Sequence, residues 1–260
     1  MRIPKHYIKR FTRRFGFDVI RFNARSSPVA RRIKLFQHFE IGCVLDVGAS
    51  TGGYGVELRS TGYDQRIISF EPSSDAFRVL EARASRDALW DTVQLALGKE
   101  SGEATLNLSN NLESNSILRI KDRHTAAYPQ AKYVGQEVIA VDTLDHVFDR
   151  YCTTDTPIFL KIDAQGYEHQ VLLGADASLA RIRGVQVELS LEPMYENETP
   201  FLEVITHLQA HGFNLMSLQP VIDDPVTAEV PPFSVYWRHD FSIDLGGFFR
   251  GFIDFLCGVS

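Results

Sequence analysis

Short apolar runs alternate with helical stretches over residues 44–237. The runs predict buried strands at 44–47, 67–70, 93–97, 158–162 and 185–189. Between them, helices are predicted at 53–60, 75–85, 168–173 and 200–211, the last of which ends at Gly212. Repeated strand–helix units imply a parallel sheet with helices on both faces, and 213–218 and 233–237 predict a closing pair of strands.

Two further strands, predicted at 104–108 and 137–141, lie outside this simple alternation and flank a polar insert at 109–135. We divide the chain into a basic arm at 1–40, one α/β domain at 41–240 and an aromatic-rich tail at 241–260. The sequence shows no internal repeat and no low-complexity linker. The insert is either the lid over the acceptor site, since specificity usually resides in loops on a rigid scaffold, or a solvated loop.

The basic arm has the pattern of an amphipathic helix. Apolar side chains recur at helical spacing with Lys and Arg between them, at Ile3, Tyr7, Ile8, Phe11 and Phe15. The helix either docks on the body with its basic face in water or lies on an anionic membrane, and a transit peptide is the third alternative. The tail, with Phe at 248, 249, 252 and 255, must be covered by the body, by the partner of a homodimer or by a membrane.

Composition describes an ordinary folded chain with an uneven charge distribution. Residues 1–35 hold eleven Lys or Arg and one acid, a net charge of +10, and since the whole chain carries −6 the remainder carries −16. An acidic body argues against a nucleic-acid partner. The three cysteines lie far apart in the sequence, which argues against a disulfide scaffold. The chain has no run of 18 apolar residues that could cross a membrane. We therefore expect a cytoplasmic protein, which is peripheral on the inner membrane face if the arm binds lipid.

A glycine-rich turn from Asp46 to Tyr54 follows the first strand and precedes a helix. Its glycines allow a sharp turn and the close approach of a ligand. Glu71 ends the second strand, where a carboxylate can accept hydrogen bonds from both hydroxyls of a ribose. Turn, helix and acid together predict a nucleoside-binding crevice at the carboxyl edge of the sheet.

The nucleoside is better matched by S-adenosylmethionine than by NAD. Ser50 replaces the second glycine of a dinucleotide motif, and an anionic diphosphate would meet Asp46. S-adenosylmethionine has no phosphate and carries a sulfonium and an ammonium, which a carboxylate favours. The turn also lacks the GKS or GKT ending of an ATP-binding loop.

The sequence resembles the FkbM-type branch of the class I methyltransferases over roughly residues 43–237. The shared motifs are VLDVGASTGGYG (44–55), ISFEPS (68–73), LALG (95–98), SNSIL (114–118), LKIDAQGYEHQVLLGA (160–175) and VELS (187–190). The resemblance implies a Rossmann-like three-layer sandwich with a mostly parallel seven-stranded sheet and an antiparallel last strand. It also implies methylation that depends on S-adenosylmethionine, usually of a hydroxyl.

By the same resemblance, Asp46, Gly48 and Gly52 would contact the methionine part of the cofactor and Glu71 its ribose. We expect the cofactor site to be completed by Ala49, Ser50, Tyr54, Pro72 and Leu97. The family often has Asn where this chain has Ser50, and neither terminal segment belongs to the shared pattern.

Candidate catalytic groups follow the inner strands. If the acceptor is an alcohol, a base must take its proton, and Asp163 and Glu188 are candidates for base or substrate anchor. Lys161 lies within an apolar strand and needs a partner, which we expect to be Asp163 or Glu188. The alternatives are a structural ion pair at the sheet edge and a divalent ion held by Asp163, Glu188 and Glu168.

Asn115, Ser116 and Glu168 are the candidate acceptor-binding residues. Glu168 could instead be an ordinary residue at the start of a helix, and His169 beside it is either a second helix-start residue or a base. His207 and His211 have metal-ligand spacing, but the apolar stripe beside them favours an ordinary amphipathic helix. We therefore predict an O-methyltransferase acting on a sugar, glycan or secondary metabolite; no metal ligands are assigned, and the sequence leaves metal dependence open. The alternatives are a carboxyl- or N-methyltransferase, a membrane-associated nucleoside-binding protein without turnover and, last, a dehydrogenase.

Overall fold

The computed structural model describes residues 5–17, 19, 22–152, 156–220 and 233–239. Its helices are α1 (Lys5–Arg13), α2 (Pro28–His38), α3 (Gly53–Ser60), α4 (Ser74–Ala84), α5 (Asp122–Ala127), α6 (Leu144–Tyr151), α7 (Glu168–Leu173) and α8 (Phe201–Ala210). Its strands are β1 (Cys43–Val47), β2 (Arg66–Phe70), β3 (Trp90–Val93), β4 (Ala96–Leu97), β5 (Gly102–Ser109), β6 (Tyr133–Asp142), β7 (Ile158–Ile162), β8 (Ile182–Leu189), β9 (Phe213–Pro220) and β10 (Phe233–His239).

Seven strands form the main sheet in the order β3-β2-β1-β7-β8-β10-β9. The central strand β1 pairs in parallel with β2 and β7, so that Leu45 lies between Ile68 and Leu160. The last strand, β10, runs antiparallel to both β8 and β9. This arrangement confirms the predicted fold class.

The core lies on both faces of this sheet. Leu45, Phe70 and Leu160 belong to a cluster on one face, whereas Val44 and Ile67 pack with a second cluster on the other. Side chains alternate between the faces of a strand, so a strand covered on both sides must be apolar at nearly every position. This explains why the inner strands are visible in the sequence as continuous apolar runs.

A second sheet, in the order β4-β6-β5, carries the insert. The strands predicted at 104–108 and 137–141 are its β5 and β6, which pair antiparallel. The single strand predicted at 93–97 is wrong. Val93 pairs with Phe70 in the main sheet, whereas Leu97 pairs with Asp142 in the second sheet, so one apolar run supplies two strands.

The predicted boundary at residue 40 cuts into the packed body. Helix α2 starts at the N-cap Ser27 and buries Phe36, whose ring lies 4.7 Å from that of Phe159 and 5.4 Å from that of Tyr63. The packed body therefore includes α2. The predicted tail at 241–260 lies outside the described residues. Within the described ranges, no helix combines the length and the apolar character needed to cross a bilayer.

Candidate active site

A cavity of about 1320 Å³ opens at the carboxyl ends of β1, β2, β7 and β8. It lies where the chain crosses from one half of the sheet to the other, at the boundary between β1 and β7, which is the usual ligand position in open α/β sheets. The turn after β1, the loop after β7, the insert and helix α2 all contribute to its walls.

The turn after β1 is held against the loop after β7. The amides of Gly48 and Ala49 both donate to the carbonyl of Phe70 at 3.0 Å, and Gly48 has a φ of 69°. A Cβ on Gly48 would lie 1.8 Å from the carbonyl oxygen of Asp163. Only glycine fits this position, because it combines a left-handed backbone with the close approach of a second chain segment.

Glu71 lies at the predicted position on the cavity wall. One carboxylate oxygen accepts from the amide of Ser50 at 2.7 Å and the other from the amide of Ser73 at 2.9 Å. Burial raises the pKa of Glu71 to about 7, against the two amides, which favour the charged form. Each oxygen keeps a lone pair, so the carboxylate can still accept hydrogen bonds from a ligand.

Most of the predicted cofactor residues line the cavity, namely Gly48, Ala49, Ser50, Tyr54, Glu71, Pro72 and Leu97. Gly52 is a correction: it caps α3 with a φ of 86° and faces Leu80 and Trp90 instead of the cavity. A Cβ there would lie 2.9 Å from the Leu80 side chain and 3.3 Å from that of Trp90, so this glycine serves packing.

Asp46, which we expected to contact the methionine part of the cofactor, does not line the cavity either. Its carboxylate is fully buried outside the cavity lining, accepts from the Ser69 hydroxyl at 3.1 Å and lies 3.1 Å from Nζ of Lys161. Asp46 is therefore the main partner of Lys161, which we expected to be Asp163 or Glu188. Burial opposes the charge of Lys161, but Asp46 and Asp163 outweigh it and hold the lysine pKa above its ordinary value.

The ammonium group of Lys161 lies at the bottom of the cavity, which Asp163 and Glu188 also line. Its Nζ donates to the Gly48 carbonyl at 3.0 Å and lies 3.7 Å from an oxygen of Asp163. The other oxygen of Asp163 accepts from the Gln165 side chain at 2.7 Å. Glu188, which also lines the cavity, has its pKa raised to about 9 by burial and by Asp163. The two predicted acids thus share one wall in different charge environments.

Glu168 and Ser116 have structural partners. Glu168 is buried outside the cavity lining and accepts from the amides of Ala164 and Gly166 at 2.9 and 3.1 Å, so its carboxylate holds the backbone of the loop after β7, and its contact with the acceptor stays a prediction. Ser116 lines the cavity, but its hydroxyl donates to the Gln165 carbonyl at 2.6 Å. Both residues fix the loop that presents Asp163.

In the described part of the chain, Asp163, Glu188 and Glu168 do not form a group of converging metal ligands. Glu168 points its carboxylate at backbone amides instead, and Lys161 places a cation beside Asp163. The arrangement does not favour a divalent ion at this edge of the sheet, because the ammonium of Lys161, 3.7 Å from Asp163, would repel it.

The insert covers the cavity, as expected of a lid. Twelve of its residues contribute to the walls, including Asn111, Leu112, Asn115, Arg123 and Tyr128. Asn115 accepts from the Ser109 amide at 2.7 Å, and its Nδ2 has no hydrogen-bond partner among the described residues.

Sequence reasoning missed Arg32 of α2, which reaches the same cavity. Its guanidinium lies 4.8 Å from the centre of the Tyr54 ring and 2.7 Å from a carboxylate oxygen of Glu57. No local signal marked it, because α2 lies before the glycine-rich turn and is brought there only by packing.

The fold and the cavity define a nucleoside-binding α/β protein. The glycine turn, the acid that ends the neighbouring strand and the surrounding carboxyl groups suit a cationic nucleoside without phosphates. A family model described as the methyltransferase FkbM domain matches residues 46–215. The chain belongs to this family, and it is a methyltransferase that depends on S-adenosylmethionine.

Solved structures resemble the chain at low sequence identity. An rRNA methylase from Streptococcus thermophilus is 13% identical, with a TM-score of 0.46 over 82% of this chain and 96% of that one. Magnesium protoporphyrin IX methyltransferase from Synechocystis, solved with bound S-adenosylmethionine, is 10% identical, with a TM-score of 0.44 over 91% of this chain and 92% of that one. A comparison with curated proteins finds no match.

Proposed function

We propose that the enzyme methylates a hydroxyl group of a sugar, a glycan or a hydroxyl-rich secondary metabolite. The cavity carries this proposal: at about 1320 Å³ it exceeds the ~300–1,000 Å³ typical of small-molecule pockets, which leaves space for an acceptor beside the cofactor. Neutral hydrogen-bonding side chains line it, namely Asn115, Gln130, Gln186, Gln219 and Tyr236. Side chains of this kind match the alternating donors and acceptors of a polyol.

The charge of the walls supports a neutral acceptor. The Arg and Lys side chains that line the cavity are each paired with an acid: Arg32 with Glu57, Arg123 with Glu192, and Lys161 with Asp46 and Asp163. A phosphate or carboxylate on the acceptor would have to compete with these acids for the cations. An uncharged sugar or polyketide-like alcohol would not, and this favours small molecules and glycans over nucleic acid.

Asp163 is the proposed base, with Glu188 as an anchor. Bound S-adenosylmethionine supplies a methyl carbon that its sulfonium has already activated. The chain must hold the acceptor oxygen in line, exclude water and take the proton. Lys161 and Gln165 fix the two oxygens of Asp163, whereas Glu188 holds a proton at neutral pH and can donate it in a hydrogen bond to the acceptor.

The chemistry of the product tests the proposal. The intact protein is incubated with S-adenosylmethionine labelled in its methyl group and with neutral glycans and polyols, and the labelled product is treated with mild base. An O-methyl ether keeps its label, which is the expected result. Release of labelled methanol would identify a carboxyl ester, and label retained on an amine would identify an N-methyltransferase; either outcome would contradict the proposal.

We further propose that the arm places the enzyme on the inner face of an anionic membrane. Phe11 and Phe15 of the arm are 66% and 62% exposed, and their rings contact each other at 5.1 Å. A helix docked on the body through these two rings would bury them, so their exposure supports contact with a lipid surface. Arg10, Arg13 and Arg14 flank these rings, and the combination of aromatic and basic faces suits an interfacial helix.

A further inference from the structure

Two histidines and an aspartate meet on the outer side of α8, away from the cavity. His207 and His211 lie one helical turn apart, and their ring centres are 4.6 Å apart. The carboxylate of Asp176, in the turn after α7, lies 2.8 Å from Nε2 of His211. One potential ligand atom from each residue falls within 4.8 Å of the other two.

The hydrogen bonds of His211 call for a cation at this point. Its Nδ1 lies 2.9 Å from the carbonyl oxygen of His207, which can only accept, so Nδ1 carries the proton. In the neutral ring Nε2 then carries a lone pair and no proton, and it lies 2.8 Å from a carboxylate oxygen of Asp176. Two acceptors at this distance repel unless a second proton or a metal ion lies between them.

His207 supplies the observation that separates these alternatives. Its Nε2 is buried and has no hydrogen-bond partner among the described residues. A protonated His211 would satisfy Asp176 but would leave this nitrogen without a partner. A metal ion would use all three groups, and a histidine whose other nitrogen donates to a backbone carbonyl is a common arrangement around zinc.

We propose that Asp176, His207 and His211 form a binding site for a divalent transition-metal ion of the zinc type. Two imidazoles and one carboxylate, with water as the fourth ligand, make a suitable tetrahedral set. Metal–ligand distances of about 2.0–2.1 Å require ligand atoms roughly 3.4 Å apart. The contact between Asp176 and His211 must therefore widen, and any pair of ligand atoms near the 4.8 Å limit must come closer, both of which the 68% exposed side chain of Asp176 helps to permit.

The position of the site assigns it to stability instead of catalysis. None of its three residues lines the cavity. The ion would link α8 to the turn after α7, and α7 begins at the buried Glu168 that holds the Asp163 loop. Binding to the folded state alone raises the unfolding temperature with metal concentration.

Calorimetric titration of zinc chloride into untagged, metal-free, full-length protein tests the site. We expect one saturable site, weakened at least tenfold by His207→Ala and by Asp176→Asn. His146→Ala is the matched control, because His146 makes a comparable pair with Asp142 at 2.9 Å but has no third ligand among the described residues. The control should bind zinc like the wild type.

Thermal unfolding with and without zinc gives the second readout. The wild type and the control should gain unfolding temperature with zinc, whereas the two site variants should not. Each variant must bind S-adenosylhomocysteine like the wild type, which shows that it is folded. Saturable binding that survives both substitutions, or the absence of binding in the wild type, would overturn the proposal and leave a simple His211–Asp176 ion pair.

Discussion

Lys161 shows how one buried cation organises the chemistry around it. A lysine in an apolar strand predicts an acidic partner nearby, because burying an unpaired ammonium in the core is energetically costly. The partner is Asp46 on the neighbouring strand, directly opposite in the register of β1 and β7. Sequence reasoning chose Asp163 and Glu188 because they lie close along the chain or the predicted edge. Choosing Asp46 over these two acids requires the register between β1 and β7, which lie more than a hundred residues apart in the chain.

Glu71 should control cofactor binding through its charge. Glu71→Ala is expected to weaken S-adenosylhomocysteine about tenfold or more, the worth of a good hydrogen-bond pair to a charged group. Since the pKa of Glu71 is about 7, the wild type should bind about tenfold more weakly at pH 6, where the carboxyl is protonated, than at pH 8.

Calorimetry at both pH values measures this effect. Glu71→Gln is the matched control, because it cannot ionise and should lose the pH dependence. Equal affinity in wild type and Glu71→Ala would remove Glu71 from the cofactor site.

Asp163 and Glu188 should respond differently to the loss of their charge. Asp163→Asn removes the proposed base and should lower kcat about 10²–10⁴-fold, while S-adenosylhomocysteine binding changes little. Glu188→Gln resembles the protonated acid that the free enzyme holds at pH 7 and should retain most activity. Steady-state kinetics of both variants decide the assignment; a larger loss in Glu188→Gln would make Glu188 the base.

At the scale of elements, the turn after β1 and the loop after β7 form one unit. Their contact accounts for the small and polar residues in these two segments, because each must present such a group to a neighbouring backbone. The apolar run at 93–97 shows the opposite case. Its hydrophobicity predicts burial correctly, but the change of sheet between Val93 and Ala96 depends on partners that the local pattern does not contain.

Gly48→Ala should destabilise the protein. The new Cβ would meet the Asp163 carbonyl at 1.8 Å and force a left-handed backbone on alanine, at a cost of at least about 2 kcal/mol in free energy of unfolding. Urea denaturation measures it. Gly53→Ala is the control, since nothing lies near its Cβ, and its stability should stay within about 1 kcal/mol of the wild type. Equal stability of the two variants would show that the β1 turn is not held in this contact.

For the whole molecule, the uneven charge predicts reversible membrane binding. The intact chain should sediment with vesicles that contain anionic phosphatidylserine and not with neutral phosphatidylcholine vesicles, and salt should weaken the binding. A chain that begins after residue 22 should stay in solution. A variant without residues 241–260 shows whether the tail contributes. If the chain without the arm still sediments with the vesicles, the arm has no membrane role. The same conclusion follows if the intact chain forms a concentration-dependent dimer and does not bind the vesicles.

The local pattern of this sequence was enough to predict the sheet class, the glycine turn and the position of Glu71 at the end of β2, while the family was recognised through the resemblance of its motifs. These features depend on neighbours within a few residues, on period-two or helical spacing and on backbone conformations that only certain residues adopt. Tertiary packing decided the pairing of Lys161 with Asp46, the structural roles of Glu168 and Gly52, the place of Arg32 and the meeting of Asp176 with His207 and His211. Each joins segments far apart in the chain, and only folding sets their distances.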